Sequence, residues 1–141
     1  MIKEVSSRKW NLPVSLKYTH EIMEFIKNKK IDTAIAYLEQ VKPGKLGIPF
    51  KKFNSKGHKH GVPTGYPKKA TRFIIKMLKE LKNNVKVRGL DPNSAIISNY
   101  NLGRGAYPRY ISGTVMRRGK HTNISITAKV EYDENTQKLQ T

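Results

Sequence analysis

Apolar and polar residues alternate strictly near the end of the chain. Ile124, Ile126, Ala128, Val130 and Tyr132 are separated by Ser125, Thr127, Lys129 and Glu131. That period of two predicts a strand with one buried face. A shorter apolar run, Ala95-Ile96-Ile97, lies upstream, and the midpoint between the two runs falls at Ser112-Gly113, a dipeptide suited to a turn. Residues 94–132 are therefore expected to form one long β-hairpin. An arm of about eighteen residues extends roughly 60 Å at the strand rise, against a radius of gyration of about 14 Å for a globule of this length. The hairpin is expected to protrude. Its outer part, Asn101 to Lys120, holds Gly103, Gly105, Gly113, Gly119 and Pro108 and few apolar residues. An isolated ribbon of that kind is marginal in water and needs support from outside the chain.

Three other segments carry the helical period. Residues 1–14 end at Pro13 and read as an extended lead-in, with Trp10 as a packing anchor. Ser15 is the expected N-cap of a first helix whose stripe is Leu16, Thr19, Ile22, Met23 and Ile26, closed by Lys27-Asn28-Lys29-Lys30. Asp32 is the expected N-cap of a second helix with Ala34, Ile35, Leu38 and Val41 on one side, ended by Pro43-Gly44. Residues 42–67 read as a long loop. Pro67 then opens a third helix to about Lys86, with Ala70, Ile74, Met77, Leu78, Leu81 and Val85 on its buried stripe. Gly89-Leu90-Asp91-Pro92 turns the chain into the hairpin. The fold class that results is α+β: three helices packed on a small antiparallel sheet, with a long protruding β-hairpin. One domain spans 1–141, divided into a body (1–100 and 121–132), a hairpin extension (101–120) and a flexible tail (133–141).

Charge changes this picture from a fold into a partner class. Twenty-eight Lys and Arg stand against ten Asp and Glu, a formal charge of +18. Self-repulsion of that size destabilises the compact state unless a polyanion neutralises it. The distribution sharpens the point. Residues 42–88 hold fourteen Lys or Arg and one acid, Glu80, and no carboxylate lies between Asp91 and Glu131. Lys69, Arg72, Lys76, Lys79 and Lys86 recur on one face of the third helix, which reads as a phosphate-binding surface. There is no cysteine, so neither a disulfide framework nor a Cys-type zinc site is available. No apolar stretch approaches a membrane span and the N-terminus lacks a signal-peptide core, which makes a cytoplasmic protein the expectation.

Candidate chemistry is sparse. His58-Lys59-His60 lacks the Cys, Asp or Glu that would complete a metal or acid–base site, and its lysines oppose a cation. His121 shares a basic stretch and invites the same reading. Gly103-Arg104-Gly105 has neither the spacing nor the following helix of a phosphate-binding loop. No pair of carboxylates is spaced for two-acid catalysis. Neither catalytic residues, metal, cofactor nor small-molecule substrate is expected.

The order of short motifs resembles a known family, the universal ribosomal large-subunit protein numbered twenty-two in bacteria and seventeen in eukaryotes. The resemblance runs from about Ser6 to Tyr132. It passes through Leu12-Pro13-Val14-Ser15-x-Lys17, the Ala34-to-Leu38 helix, Pro49-Phe50 with the His58-containing insert, Tyr66-Pro67-x-Lys69-Ala70, Asn83-Asn84, Gly89-Leu90-Asp91 and the hairpin. The insert is similar to that of the archaeal and eukaryotic branch. The tip, Gly113-Thr114-Val115-Met116-Arg117-Arg118-Gly119, departs from the basic stretch usual there.

The resemblance implies a structural protein of the cytoplasmic large subunit, with its body near the peptide exit and its hairpin lining the tunnel. Its partners would be large-subunit ribosomal RNA, neighbouring large-subunit proteins and the nascent polypeptide, with no membrane. Expected RNA contacts are Arg8, Lys9, Lys17, Lys51, Lys52, His58, Lys59, His60, Lys68, Lys69, Arg72 and Lys76 in the body. Arg104, Tyr107, Arg109, Arg117, Arg118 and Lys120 follow on the hairpin, with Ser112, Gly113, Thr114, Val115 and Met116 as its tunnel-facing tip. Three competing readings are a non-ribosomal RNA chaperone or basic RNA-binding factor, a small nuclease using His58, His60 or His121, and a cationic membrane-surface protein.

Overall fold

The computed structural model describes residues 2–56 and 63–132. Three helices form where the apolar stripes lie: α1 (Leu16–Ile26), α2 (Ile31–Val41) and α3 (Lys68–Val87). Ala70, Ile74, Met77, Leu78, Leu81 and Val85 of α3 are all buried, as the 3.6-residue period requires. Ser15 occupies the N-cap position of α1, but its side chain makes no capping hydrogen bond. Asp32 is not a cap. Lys30 occupies that position, and Asp32 sits in the first turn of α2, where its carboxylate accepts from Lys82 Nζ at 2.5 Å. An acid there meets the positive end of the helix dipole and a lysine together.

The alternating segment is β7 (Thr122–Glu131), and Thr122, Ile124, Ile126, Ala128 and Val130 are its buried positions. It is the central strand of a three-stranded antiparallel sheet. One neighbour is β4 (Ile96–Arg104) and the other is β1 (Ile2–Leu12). The lead-in is therefore a strand, paired with β7 from Ile2↔Glu131 to Leu12↔Thr122. Only Val5 and Ser7 of β1 are buried, so the alternation that would announce a strand is nearly absent from its composition. Trp10 is 70% exposed, which overturns its reading as a packing anchor: it lies beside a bulge between Lys9 and Leu12, outside the core. Helix α3 is tied along β1 by polar side chains: Asn84 Nδ2 donates to Ser6 O (3.3 Å) and Arg88 Nη1 to Glu4 O (3.1 Å). On β4 the turn between α1 and α2 adds backbone bonds, Asn28 N–H to Ile97 O (2.8 Å) and Ile97 N–H to Lys29 O (3.0 Å). Both flanking strands thereby gain partners for groups that would invite pairing with other chains.

Residues 42–67 are less irregular than expected. A two-residue ladder joins β2 (Ile48–Pro49) to β3 (Thr64–Gly65), with a 3-10 turn over Asn54–Lys56. Gly65 is required there, because a Cβ would lie 2.3 Å from the Phe50 ring.

The hairpin is built as two ladders with a break between them. After Arg104 and before Thr122 the sheet stops, and a separate ribbon forms from β5 (Arg109–Ser112) and β6 (Val115–Arg118). The turn is Gly113-Thr114, one residue later than the midpoint rule places it, with Gly113 at φ 62°. Across the break the arms stay together through Gly105 N–H to His121 O (2.9 Å) and Gly119 N–H to Pro108 O (2.7 Å). Asn11 fixes the root of the ribbon. Held at φ 55°, it donates its N–H to Asn123 Oδ1 and accepts from Ala106 N–H at its own Oδ1, both at 2.9 Å. Beyond that root β5 and β6 pair chiefly with each other, and Tyr110, Ile111, Val115 and Met116 are exposed.

Candidate nucleic-acid interface

Three basic segments that are far apart in sequence converge where the ribbon leaves the body. The start of α1 brings Ser15, Lys17 and Tyr18; the ribbon root brings Arg104, Tyr107, Arg118, Lys120 and His121; together they line one groove of about 380 Å³. A second cleft, of about 650 Å³, shares Ser15, Tyr18, Arg118, Lys120 and His121 with the first and is closed by Tyr66, Lys68 and Lys69 at the start of α3. The surface continues along α3 through Arg72, Phe73 and Lys76. None of these grooves is lined by a carboxylate.

Ion pairing divides the cations further. Among the described residues Lys9 pairs with Glu80 (3.0 Å), Lys79 with Glu39 (3.4 Å), Lys82 with Asp32 and Lys129 with Glu4 (3.7 Å). Lys17, Lys68, Lys69, Arg72, Lys76, Arg104, Arg118 and Lys120 have no acidic partner there, so their charge is available to a ligand. The first half of α3 is thus cationic outward, while Lys79 and Lys82 in its second half are paired with acids of α2 and Glu80 is taken up by Lys9 of β1. Lys79, which shares the helical face of Lys76 in sequence, is thus taken up by Glu39 of α2 and stands apart from the unpaired cations.

The remaining expected contacts fall elsewhere. Lys51 and Lys52 lie on a loop held by Glu21, a carboxylate only 2% exposed. Its oxygens accept from the backbone N–H of Lys51 (3.0 Å), Lys52 (2.9 Å) and Phe53 (2.9 Å). That arrangement turns Phe53 toward α1, where Lys17 Nζ and Lys52 Nζ stand 5.7 and 5.6 Å from its ring centroid. Glu21 was not foreseen, since an acid on a helix reads as solvated until the loop that wraps it is known. Arg8 and Lys9 lie in a separate groove with Trp10, Asn101 and Gly103. Arg109 and Arg117 project from the ribbon and are exposed. His58, Lys59 and His60 lie outside the described residues. Tyr18, Tyr66 and Tyr110, absent from the expected contacts, stand in the larger cleft.

One tyrosine outside the cleft, Tyr100, donates to Glu24 Oε2 at 2.5 Å. Partial burial and that bond push its hydroxyl up to about 12, and the same bond holds the Glu24 carboxyl below its ordinary value. Nδ1 of His20 and of His121 is buried without a hydrogen-bond partner. His121 therefore lacks the orienting carboxylate that an acid–base pair uses. Among the described residues no group of three His, Cys, Asp or Glu is placed to hold a metal ion.

With this geometry in view, comparison with known proteins is decisive. Residues 7–127 match the model of the family described as Ribosomal protein L22p/L17e. The chain belongs to that family. A Methanoculleus marisnigri protein named "Large ribosomal subunit protein uL22" is 39% identical over 125 residues, covering 82% of each chain. Proteins of the same name from Methanoregula boonei (32% identical, 84% of each chain) and Archaeoglobus fulgidus (30%, 91% of this chain and 89% of the relative) are similarly related. A member of the L22p/L17e family is a ribosomal protein and not an enzyme, which removes the nuclease reading. The L22p/L17e match ends at residue 127 and so takes in α1, α2, α3, the ribbon and most of β7.

Proposed function

We propose that this protein is a structural constituent of the cytoplasmic large ribosomal subunit that binds large-subunit ribosomal RNA through the unpaired cationic surface. The observation that carries this reading is the convergence of Lys17, Lys68, Lys69, Arg104, Arg118 and Lys120 around acid-free grooves. Lys and Arg there replace counterions at closely packed phosphates, and releasing those counterions drives binding. The recognised feature is backbone shape, because the major groove of an A-form helix is too deep and narrow for side chains to read and its shallow minor groove is met mainly through phosphates and 2′-hydroxyls. Arg8, Lys51, Lys52, Arg109 and Arg117 extend the contact away from the centre, and His58, Lys59 and His60 belong to the same proposal by position. Lys9 contributes less, since Glu80 already partners it.

The single domain presents its body, residues 1–100 and 121–132, near the tunnel opening, beside neighbouring large-subunit proteins. Its extension, residues 101–120, enters the tunnel wall. A ribbon whose Ile111, Val115 and Met116 are exposed gains order as it docks. Its tip, Ser112 to Met116, then faces the nascent polypeptide. A photocrosslinker at position 115 should label nascent chains on translating ribosomes, and exclusive labelling of RNA would remove the tip from the tunnel lumen.

The body surface is tested by reversing Lys69, Arg72 and Lys76 to Glu. All three are exposed, so the free protein should keep its melting temperature while failing to cosediment with large subunits after a high-salt wash. Normal incorporation of the triple variant would reject the assigned surface. Loss of wild-type protein in the same wash would favour a factor that cycles on and off RNA.

A further inference from the structure

Charge accounts for only half of the larger cleft. Besides Lys68, Lys69, Arg118 and Lys120, its walls include three tyrosines, and Tyr110 is 56% exposed. Phosphate neutralisation has no use for aromatic rings. The position of Tyr110 is nonetheless specified by its neighbour Gly119, where a Cβ would lie 2.7 Å from Tyr110 Cε2 and 2.9 Å from Pro108 Cγ. The ring is thus set against a glycine beside a proline and lines a concave, cationic space of about 650 Å³. The groove along Lys68, Lys69, Arg72 and Lys76 borders the same space. RNA backbone running along α3 therefore passes its edge.

We propose that this cleft receives one unpaired nucleotide of the RNA, its base stacked on Tyr110 and its phosphate met by Lys68, Lys69, Arg118 and Lys120. The inference rests on the RNA-binding reading above and adds to it the class of nucleotide bound. A paired base keeps both faces inside its own helix, so only an extruded base offers a ring to Tyr110. The size suits the occupant, since small-ligand sites span about 300–1,000 Å³. The absence of any lining carboxylate suits a phosphate and disfavours a basic peptide. Stacking on tyrosine tolerates any base, so the site selects for unpaired structure and not for sequence.

The test uses the full chain with two probes at fixed salt, a short oligoadenylate single strand and an A-form RNA duplex, read by fluorescence anisotropy. Tyr110→Ala is expected to weaken single-strand binding about 5- to 150-fold, the range for one base stack. Tyr110→Phe, which keeps the ring, should retain it, and Gly119→Ala, which displaces the ring and keeps every charge, should reproduce the loss. Duplex binding should not distinguish Tyr110→Ala from wild type. Equal loss with Ala and Phe, or no loss with Ala, would overturn the stacking site, as would Tyr110-dependent displacement of the oligonucleotide by oligoglutamate. Failure of the wild-type chain to bind either RNA would instead defeat the RNA-binding reading itself.

Discussion

Glu21 shows how one side chain organises function from inside the body. Its buried carboxylate satisfies three consecutive backbone donors and so fixes the loop that carries Lys51 and Lys52. Glu21→Ala leaves those donors without a partner and should cost roughly 1–3 kcal/mol of stability. Amide hydrogen exchange at residues 51–53 should accelerate more than at β7, and uniform acceleration would mean that the acid serves the whole core instead. Tyr100 makes a pH prediction. Its hydroxyl is raised from 10.0 to about 12 in the folded protein, so both states keep the proton below pH 10. Between those values the unfolded chain has released its proton and the native state has not, and stability therefore falls as pH rises through this window. A spectrophotometric titration of wild type against Tyr100→Phe should show a single tyrosine with a midpoint near 12, and Glu24→Gln should move it down.

At the scale of elements, the ribbon and the sheet differ in what holds them. Strand β7 buries five alternate residues and has partners on both sides, whereas every described side chain of β6 is exposed. In the free protein the amides of β5 and β6 should exchange far faster than those of β7, and equal protection would contradict a ribbon that depends on its partner. The direction of the ribbon is set at its root. Asn11→Ala removes both the side-chain restraint on Ala106 and one of the few non-glycine residue types that tolerate φ 55°, at a cost of about 1–2 kcal/mol. Its effect should appear as altered chemical shifts at residues 105–108 and 119–121, with the helices unaffected. The helices themselves were legible because their stripes are local, and β7 was legible because it alternates cleanly. Strand β1 was not: its polar residues pair with β7 by position, and only the partner reveals the strand. Trp10 misled for the related reason that hydrophobicity alone does not say which side of a strand faces the core.

For the whole molecule the governing quantity is the separation of paired from unpaired cations. A charge of +18 would oppose compactness if spread evenly, yet the body places Glu39, Asp32 and Glu80 against lysines and leaves the grooves at the ribbon root and along the start of α3 without a lining carboxylate. RNA affinity should accordingly fall steeply with salt. Neutralising Lys69, Arg72 and Lys76 to Ala should reduce the log–log salt slope by about 2–3, while neutralising Lys79 and Lys82 should change it little. Equal slopes for the two sets would show that binding reads net charge and ignores its placement.

Local order along the chain was enough to determine three helices, the central strand, a turn near residue 113 and a demand for a polyanionic partner. Each follows from periodicity, turn chemistry or charge count, which neighbouring residues carry by themselves. Tertiary structure alone decided that residues 2–12 complete the sheet, that Glu21 holds a basic loop, and that Lys17, Lys68, Arg118 and Tyr110 border one connected surface. Those facts depend on contacts between residues dozens of positions apart. No local pattern encodes them, because such a contact exists only once packing of the core has chosen which segments meet.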